Sequence, residues 1–303
     1  MLATAADVSN WGRWGPDDEK GTLNFITPEV VRGATRLVSR GVRISLSLPL
    51  DENGPARADG NRGNPRHEMT ATGGAVIPAR EAKFGAKYAD DLVHMYLQCA
   101  TQWDSLAHLF YDGYIYNGVS AESVSEHGAS FAGITAACSE FVTRGVLLDV
   151  ARARGVEWLE TSDTIDAQEL SGIALAQGVE LRPGDIVLIR TGLMASRKVI
   201  GDWSKFWGPQ PGVDISVARW LHANMSAAIA ADNSAIEQLL GDHALPFHML
   251  ALRDMGMCLG ELWDLEELAL DCHRDGQYDF LLCAQALPFT GAVGSPVNPI
   301  AVK

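Results

Sequence analysis

The sequence predicts an α/β chain, and three observations carry that expectation. Short apolar runs such as Val146 to Val150 and Ile186 to Ile189 have the length and β-branched content of buried strands. Amphipathic segments opened by capping residues alternate with them through the second half of the chain. The 303 residues, 47% of them hydrophobic, can bury a large core, and no repeat or low-complexity break divides them. One domain over residues 1–303, with a loop-rich front portion, is therefore expected.

Taken in order, Thr27-Pro28-Glu29 opens a helical pattern that runs through Leu37, because threonine caps a helix and proline suits its first turn. Strand-like runs follow at 42–50 and 92–97. Between them, residues 51–90 are rich in Gly, Pro, Asn and charge, with Asp51-Glu52-Asn53-Gly54 and Asn61-Arg62-Gly63-Asn64-Pro65 as turn signals. A loop that long in a compact domain is usually functional or disordered, and its place just ahead of the polar motif below favours a lid or substrate loop. Asp166-Ala167-Gln168-Glu169 reads as a capping box for a helix ending near Gly178. Ile215 to His222 is an amphipathic helix, and Ala227 to Ala231 a short buried strand ending at Asp232.

The densest polar signal is the stretch from Gln98 to His108, in which Gln98, Gln102, Asp104 and His108 share one parity. In an extended segment, residues of one parity point to the same face, so these four would converge on one small object, a divalent metal being the obvious candidate. A helix, turning about 100° per residue, would scatter them. Each residue alone has an ordinary structural role open to it, since buried glutamines are usually hydrogen-bonded structural groups and aspartates cap turns. The joint pattern points to chemistry where no single member does.

This QxxxQWDxxxH stretch resembles the glutamine version of the HxGTHxDxPxH signature of the cyclase superfamily, which includes bacterial kynurenine formamidases and isatin hydrolases. The glutamine version looks most like the trans-dienelactone hydrolases, metal-dependent enzymes that open an unsaturated lactone. Arg144 to Val150 and Leu181 to Gly192 resemble the superfamily's two core-strand signatures, and Gly291 to Val297 its C-terminal strand. His248 followed by Gly260-Glu261-Leu262 is similar to its distal ligand pair, so the resemblance covers roughly residues 90–300. It implies a swivelling β/β/α fold, with a central mixed, barrel-like sheet core and helices outside. It also puts Gln98 and Gln102 where two histidine ligands usually stand, Asp104 on the ligand aspartate and His108 on the last histidine, while Leu106 replaces the usual proline.

Asp104, His248 and Glu261 are the strongest metal-ligand candidates on this resemblance, with Gln98, Gln102 and His108 behind them. The expected cofactor is Zn2+ or Mn2+ with an open position, where bound water reaches a pKa of about 7 and a carbonyl is polarised. An amide oxygen is uncharged and harder than an imidazole nitrogen. Either the site prefers a hard ion such as manganese, or the ion sits toward Asp104, His108, His248 and Glu261 and leaves the glutamines to substrate; the second is slightly favoured. His108 serves as ligand or general base, since a neutral imidazole can do both. Arg62, Arg66 and His67 are candidates for holding substrate, with Arg190 as a further cation. Trp103 is another candidate contact, although its opposite parity favours packing behind the site.

The expected reaction is opening of a small cyclic ester or amide by metal-activated water, a trans-dienelactone leading and formamide-type amides as variants. A metal-dependent cyclase or lyase is the alternative, and a binding protein that has lost activity a third. A formal net charge of -14 argues against non-specific nucleic-acid binding, so a small-molecule substrate is expected. No run of about 18 apolar residues exists and the start lacks a basic region followed by an apolar stretch, which predicts no membrane span and no standard secretion signal. Five cysteines without a CxxC pair fit reduced thiols in a cytoplasm. The resemblance and the tryptophans Trp11 and Trp14, placed to reach a neighbouring subunit, suggest a homodimer or higher even homo-oligomer.

Overall fold

The computed structural model describes residues 2–56, 62–72, 87–203, 206, 208–240 and 245–303. Four strands, Val142–Asp149, Ile186–Arg190, Ala228–Ala231 and Cys258–Glu261, pair in parallel and form the centre of a nine-stranded sheet. Their side chains are almost all buried, which is why they read as continuous apolar runs rather than alternating ones. Antiparallel strands complete the sheet on both sides. Asp279–Cys283, Ile300–Val302 and Arg43–Ser45 extend it beyond Val142–Asp149, and Gln102–Asp104 followed by Gly294–Pro296 extends it beyond Cys258–Glu261. The result is the expected α/β architecture, a mixed sheet curled into a half-barrel with helices around it.

The helices Ala167–Ala176 and Glu266–Asp275 bury one face each. Leu170, Ile173 and Ala174 are the buried residues of Ala167–Ala176, and Leu268, Ala269 and Cys272 those of Glu266–Asp275. Both predicted caps form. Thr27 Oγ1 accepts from the Val30 amide at 3.3 Å, and Asp166 Oδ1 from the Glu169 amide at 2.8 Å. The helix Pro28–Thr35 closes two residues short of Leu37, and a further helix, Leu2–Val8, precedes it. No helix among the described residues is long and apolar enough to cross a membrane.

The front portion departs from the sequence reading. The run at 42–50 contracts to the strand Arg43–Ser45, and the run at 92–97 becomes Asp90–His94. Residues 51–90 are not one irregular loop, because Arg66–Ala71 forms a strand that pairs antiparallel with Asp90–His94. Both strands of this ribbon are largely exposed, so they carry little of the burial that makes a strand legible in sequence. The lid expectation falls largely on 57–61 and 73–86, which lie outside the described residues.

Behind the sheet's Gln102–Asp104 strand, the Trp103 ring stacks on Phe141 at 4.4 Å and meets Trp263 edge-on at 5.0 Å. Gly260 lies opposite Trp103, and a Cβ there would come within 2.7 Å of Ala230 Cβ and 2.9 Å of Trp103 Cζ3. Gly260→Ala is therefore expected to destabilise the protein by about 1–3 kcal/mol through overpacking, read as a lowered midpoint in urea with an unchanged slope. A midpoint equal to wild type would mean that this layer has room to spare.

Candidate metal centre

Sheet register builds the site. Leu259 pairs with Asp104 and Glu261 with Gln102, so the side chains of Gln102, Asp104 and Glu261 share one face at the carboxyl end of Cys258–Glu261. Trp103 points to the other face. His248 comes from a separate element, the turn Pro246–His248 that continues as the wide helix Met249–Met255. Ligand atoms of Asp104, His248 and Glu261 lie within 4.8 Å of one another, and all three residues are buried. That donor set, two carboxylates and an imidazole, suits a divalent cation.

The hydrogen bonds define each partner. His248 Nδ1 is 2.7 Å from Glu237 Oε1, and His248 Nε2 is 3.0 Å from Glu261 Oε1. Burial pulls the His248 pKa down, but the hydrogen bonds to Glu237 and Glu261 outweigh it and raise it to about 10. Without an ion, both ring nitrogens thus carry protons facing carboxylates. A cation between Asp104, Glu261 and Nε2 would take the place of one proton and leave Nδ1–H on Glu237, the usual orienting arrangement for a metal-binding histidine.

Asp104 is pushed up to about 6 by burial, which the nearby His108 opposes. His108 is lowered, again chiefly by burial and against the pull of Asp104, and its Nε2 is 3.7 Å from Asp104 Oδ1. Gln102 Nε2 donates to Glu261 Oε2 at 2.8 Å and lies 3.4 Å from Asp104 Oδ1. Four buried polar atoms here have no hydrogen-bond partner: Asp104 Oδ2, Gln102 Oε1, Gln98 Nε2 and His108 Nδ1. Orphans of this kind are rare in folded proteins and cluster where an ion, water or substrate belongs. The residues present therefore fit a divalent metal.

The shared-parity argument for the motif needs correction at its ends. The strand spans only Gln102–Asp104, and turns on either side carry Gln98 and His108. Gln98 still lies beside the site because its amide packs over Gly294, where a Cβ would come within 2.4 Å of Gln98 Nε2.

A cavity of about 230 Å³ opens onto His248 and Glu261, with Arg62, His108, Leu109, Phe206, Leu239 and Leu245 on its walls. Arg62 reaches it from the front portion and donates to the Gln98 carbonyl at 3.2 Å. The other substrate candidates lie elsewhere. Arg66 and His67 belong to the exposed ribbon, where His67 Nε2 is 2.8 Å from Asp91 Oδ2. Trp103 is wholly buried, its Nε1 donating to the Ala284 carbonyl at 2.7 Å. Arg190 is consumed by ion pairs with Asp149 and Glu266, each at 2.8 Å. Trp11 and Trp14 pack on their own chain: Trp11 Nε1 donates to the Arg253 carbonyl, and the Trp14 ring meets Phe25 edge-on.

Sequence reasoning passed over Glu237. It is 2% exposed and accepts from the amides of Phe247 and His248 as well as from the His248 ring. A lone Glu eleven residues ahead of a His forms no recognisable spacing, and only its burial marks it.

No curated protein matches the chain. Among solved structures, one described as a novel cyclase is 41% identical, covers 99% of both chains and superposes with a TM-score of 0.89. Isatin hydrolase A from Labrenzia aggregata is 15% identical, with 90% of this chain and 97% of that one covered and a TM-score of 0.64. A predicted metal-dependent hydrolase from Bacillus stearothermophilus, also 15% identical, covers 87% and 98% with a TM-score of 0.56. The last two share the fold, one described as an isatin hydrolase and the other as a predicted metal-dependent hydrolase. The Cyclase family model matches residues 44–238, a stretch that holds the Gln98 to His108 motif and the first three parallel strands. With that match and the 41% identity over nearly its whole length, the chain belongs to the Cyclase family.

Proposed function

We propose that this protein is a metal-dependent hydrolase that opens a small cyclic ester or amide, a carboxylated unsaturated lactone of the trans-dienelactone kind being the leading substrate. The observation that carries this reading is the buried Asp104, His248 and Glu261 trio, of which His248 and Glu261 open onto a cavity that His108 also lines. Asp104, His248 and Glu261 would hold the ion, Zn2+ or Mn2+. When bound, it supplies Lewis acidity toward water and a carbonyl oxygen. His108, kept neutral by burial, accepts the proton that the attacking water gives up. Gln102 tethers the two carboxylates through its amide nitrogen, and Gln98 faces substrate. The apolar walls exclude water from a ring, and Arg62 holds a carboxylate. Incorporation of oxygen-18 from labelled water into the opened product tests hydrolysis; product free of label would instead support the lyase or cyclase alternative.

Arg62 is the expected selector for anionic substrates in a protein whose overall charge opposes them. Arg62→Ala should raise KM about tenfold or more for a carboxylated lactone and leave an uncharged lactone nearly unaffected. Equal losses on both substrates would remove Arg62 from that role.

The reading includes a homo-oligomer, because a two-stranded ribbon exposed on both faces, with Met69 and Val93 outward, is marginal unless another surface covers it. A monomer by light scattering at micromolar concentration would contradict it. A cytoplasmic setting accords with five free cysteines.

A further inference from the structure

Two residues beside the site hold backbone conformations that their side chains disfavour. Ile236 and Leu262 both have φ of 58°, in the left-handed region where a β-branched or bulky residue is an outlier. Each immediately adjoins a carboxylate that faces His248: Ile236 precedes Glu237, and Leu262 follows Glu261. Such strain persists only where surrounding contacts over-determine it.

One residue supplies contacts to both. Asn233 is fully buried, and its Oδ1 accepts from the Ile236 amide at 2.7 Å while its Nδ2 donates to the Ile236 carbonyl at 3.2 Å and the Pro211 carbonyl at 2.8 Å. Its own carbonyl accepts from the Leu262 amide at 2.9 Å. We propose that Asn233 is a positioning residue for the metal centre, clasping Ile236 and Leu262 so that Glu237 and Glu261 are held on the two ring nitrogens of His248.

The logic is geometric. His248 Nε2 would face an ion only while Nδ1 stays on Glu237, and Glu261 must reach the same point from the strand Cys258–Glu261. A shift of either corner misplaces one of the two carboxylates. Asn233 is the shared post for both corners, through hydrogen bonds to backbone atoms and none to His248. The inference rests on the metal reading above.

The test is the affinity of the folded protein for Zn2+ or Mn2+ alone, measured by chelator competition well below the unfolding temperature. Asn233→Ala should bind the ion about tenfold to a hundredfold more weakly than wild type, the range typical of losing a residue that orients a ligand. Ile173→Ala, a core truncation in the helix Ala167–Ala176, which packs on Val142–Asp149, lowers stability away from the site and should leave affinity unchanged. Asn233→Ser guards against failure to fold, because a serine hydroxyl can still accept from the Ile236 amide but cannot make all three side-chain bonds of the asparagine; it should fold and bind several-fold more weakly. Wild-type affinity in a folded Asn233→Ala or Asn233→Ser protein overturns the inference, as does an equal loss in Ile173→Ala. Wild-type protein that takes up no ion overturns the metal reading itself, a result distinct from either.

Discussion

Asp104→Asn is expected to lose the bound ion and with it essentially all hydrolytic activity, while the metal-free variant melts at a higher temperature than metal-free wild type at pH 7. The first effect follows from charge. Asp104 shares the site with Glu261 and His248, its Oδ2 is buried without a hydrogen-bond partner, and asparagine keeps the shape but removes the negative charge that holds a cation. The second follows from burial, which raises the folded pKa of Asp104 to about 6. An acid whose folded pKa lies above its unfolded value destabilises the fold when it is charged. The penalty is absent below about pH 4, grows as pH rises through the folded value near 6, and is fully present at pH 7. Asparagine never carries it. Elemental analysis, steady-state rates and thermal melts after chelation check the three parts. Unchanged metal occupancy would take Asp104 off the ligand set, and prolonged chelation that leaves wild-type activity intact would sink the mechanism.

His108→Ala is expected to lower kcat by about a hundredfold to ten-thousandfold, the usual cost of losing a general base, with metal content near wild type. The structure supports that division of labour, because His108 lies outside the cluster of Asp104, His248 and Glu261, and its Nε2 is 3.7 Å from Asp104 Oδ1. Its lowered pKa, caused chiefly by burial, keeps the imidazole able to accept a proton at neutral pH. Gln98→Ala makes the contrast. Gln98 packs over Gly294 with an unpartnered Nε2, so its loss should raise KM or alter substrate choice and leave the ion in place. Metal loss in Gln98→Ala with little change in His108→Ala would reverse the assignment and make the glutamine a ligand.

Much of this molecule is legible in local sequence. The cap at Thr27 and the cap at Asp166 form through atoms three residues apart, and the parallel strands announce themselves as apolar runs because both of their faces are covered. Gln102 and Asp104 share a face because strand periodicity requires it, and Trp103 takes the opposite one. Other features were beyond such reading. The ribbon Arg66–Ala71 with Asp90–His94 lacks a buried face, so its residues resemble loop. Arg190 and Arg62 are equivalent as letters, yet one is locked between Asp149 and Glu266 and the other reaches the cavity.

What the sequence by itself determined is therefore the α/β alternation, the helix starts, the buried central strands and the placement of Gln102 and Asp104 on one face, all consequences of periodicity and capping over a few residues. Tertiary structure alone decided that Gln102 meets Glu261 across 159 positions, that turns rather than a continuous strand deliver Gln98 and His108, and that Glu237 holds His248. The physical reason is that a site of this kind is assembled by sheet register and by two strained corners pinned through Asn233. Those contacts exist only once distant strands have paired, and no local pattern of residues encodes the pairing.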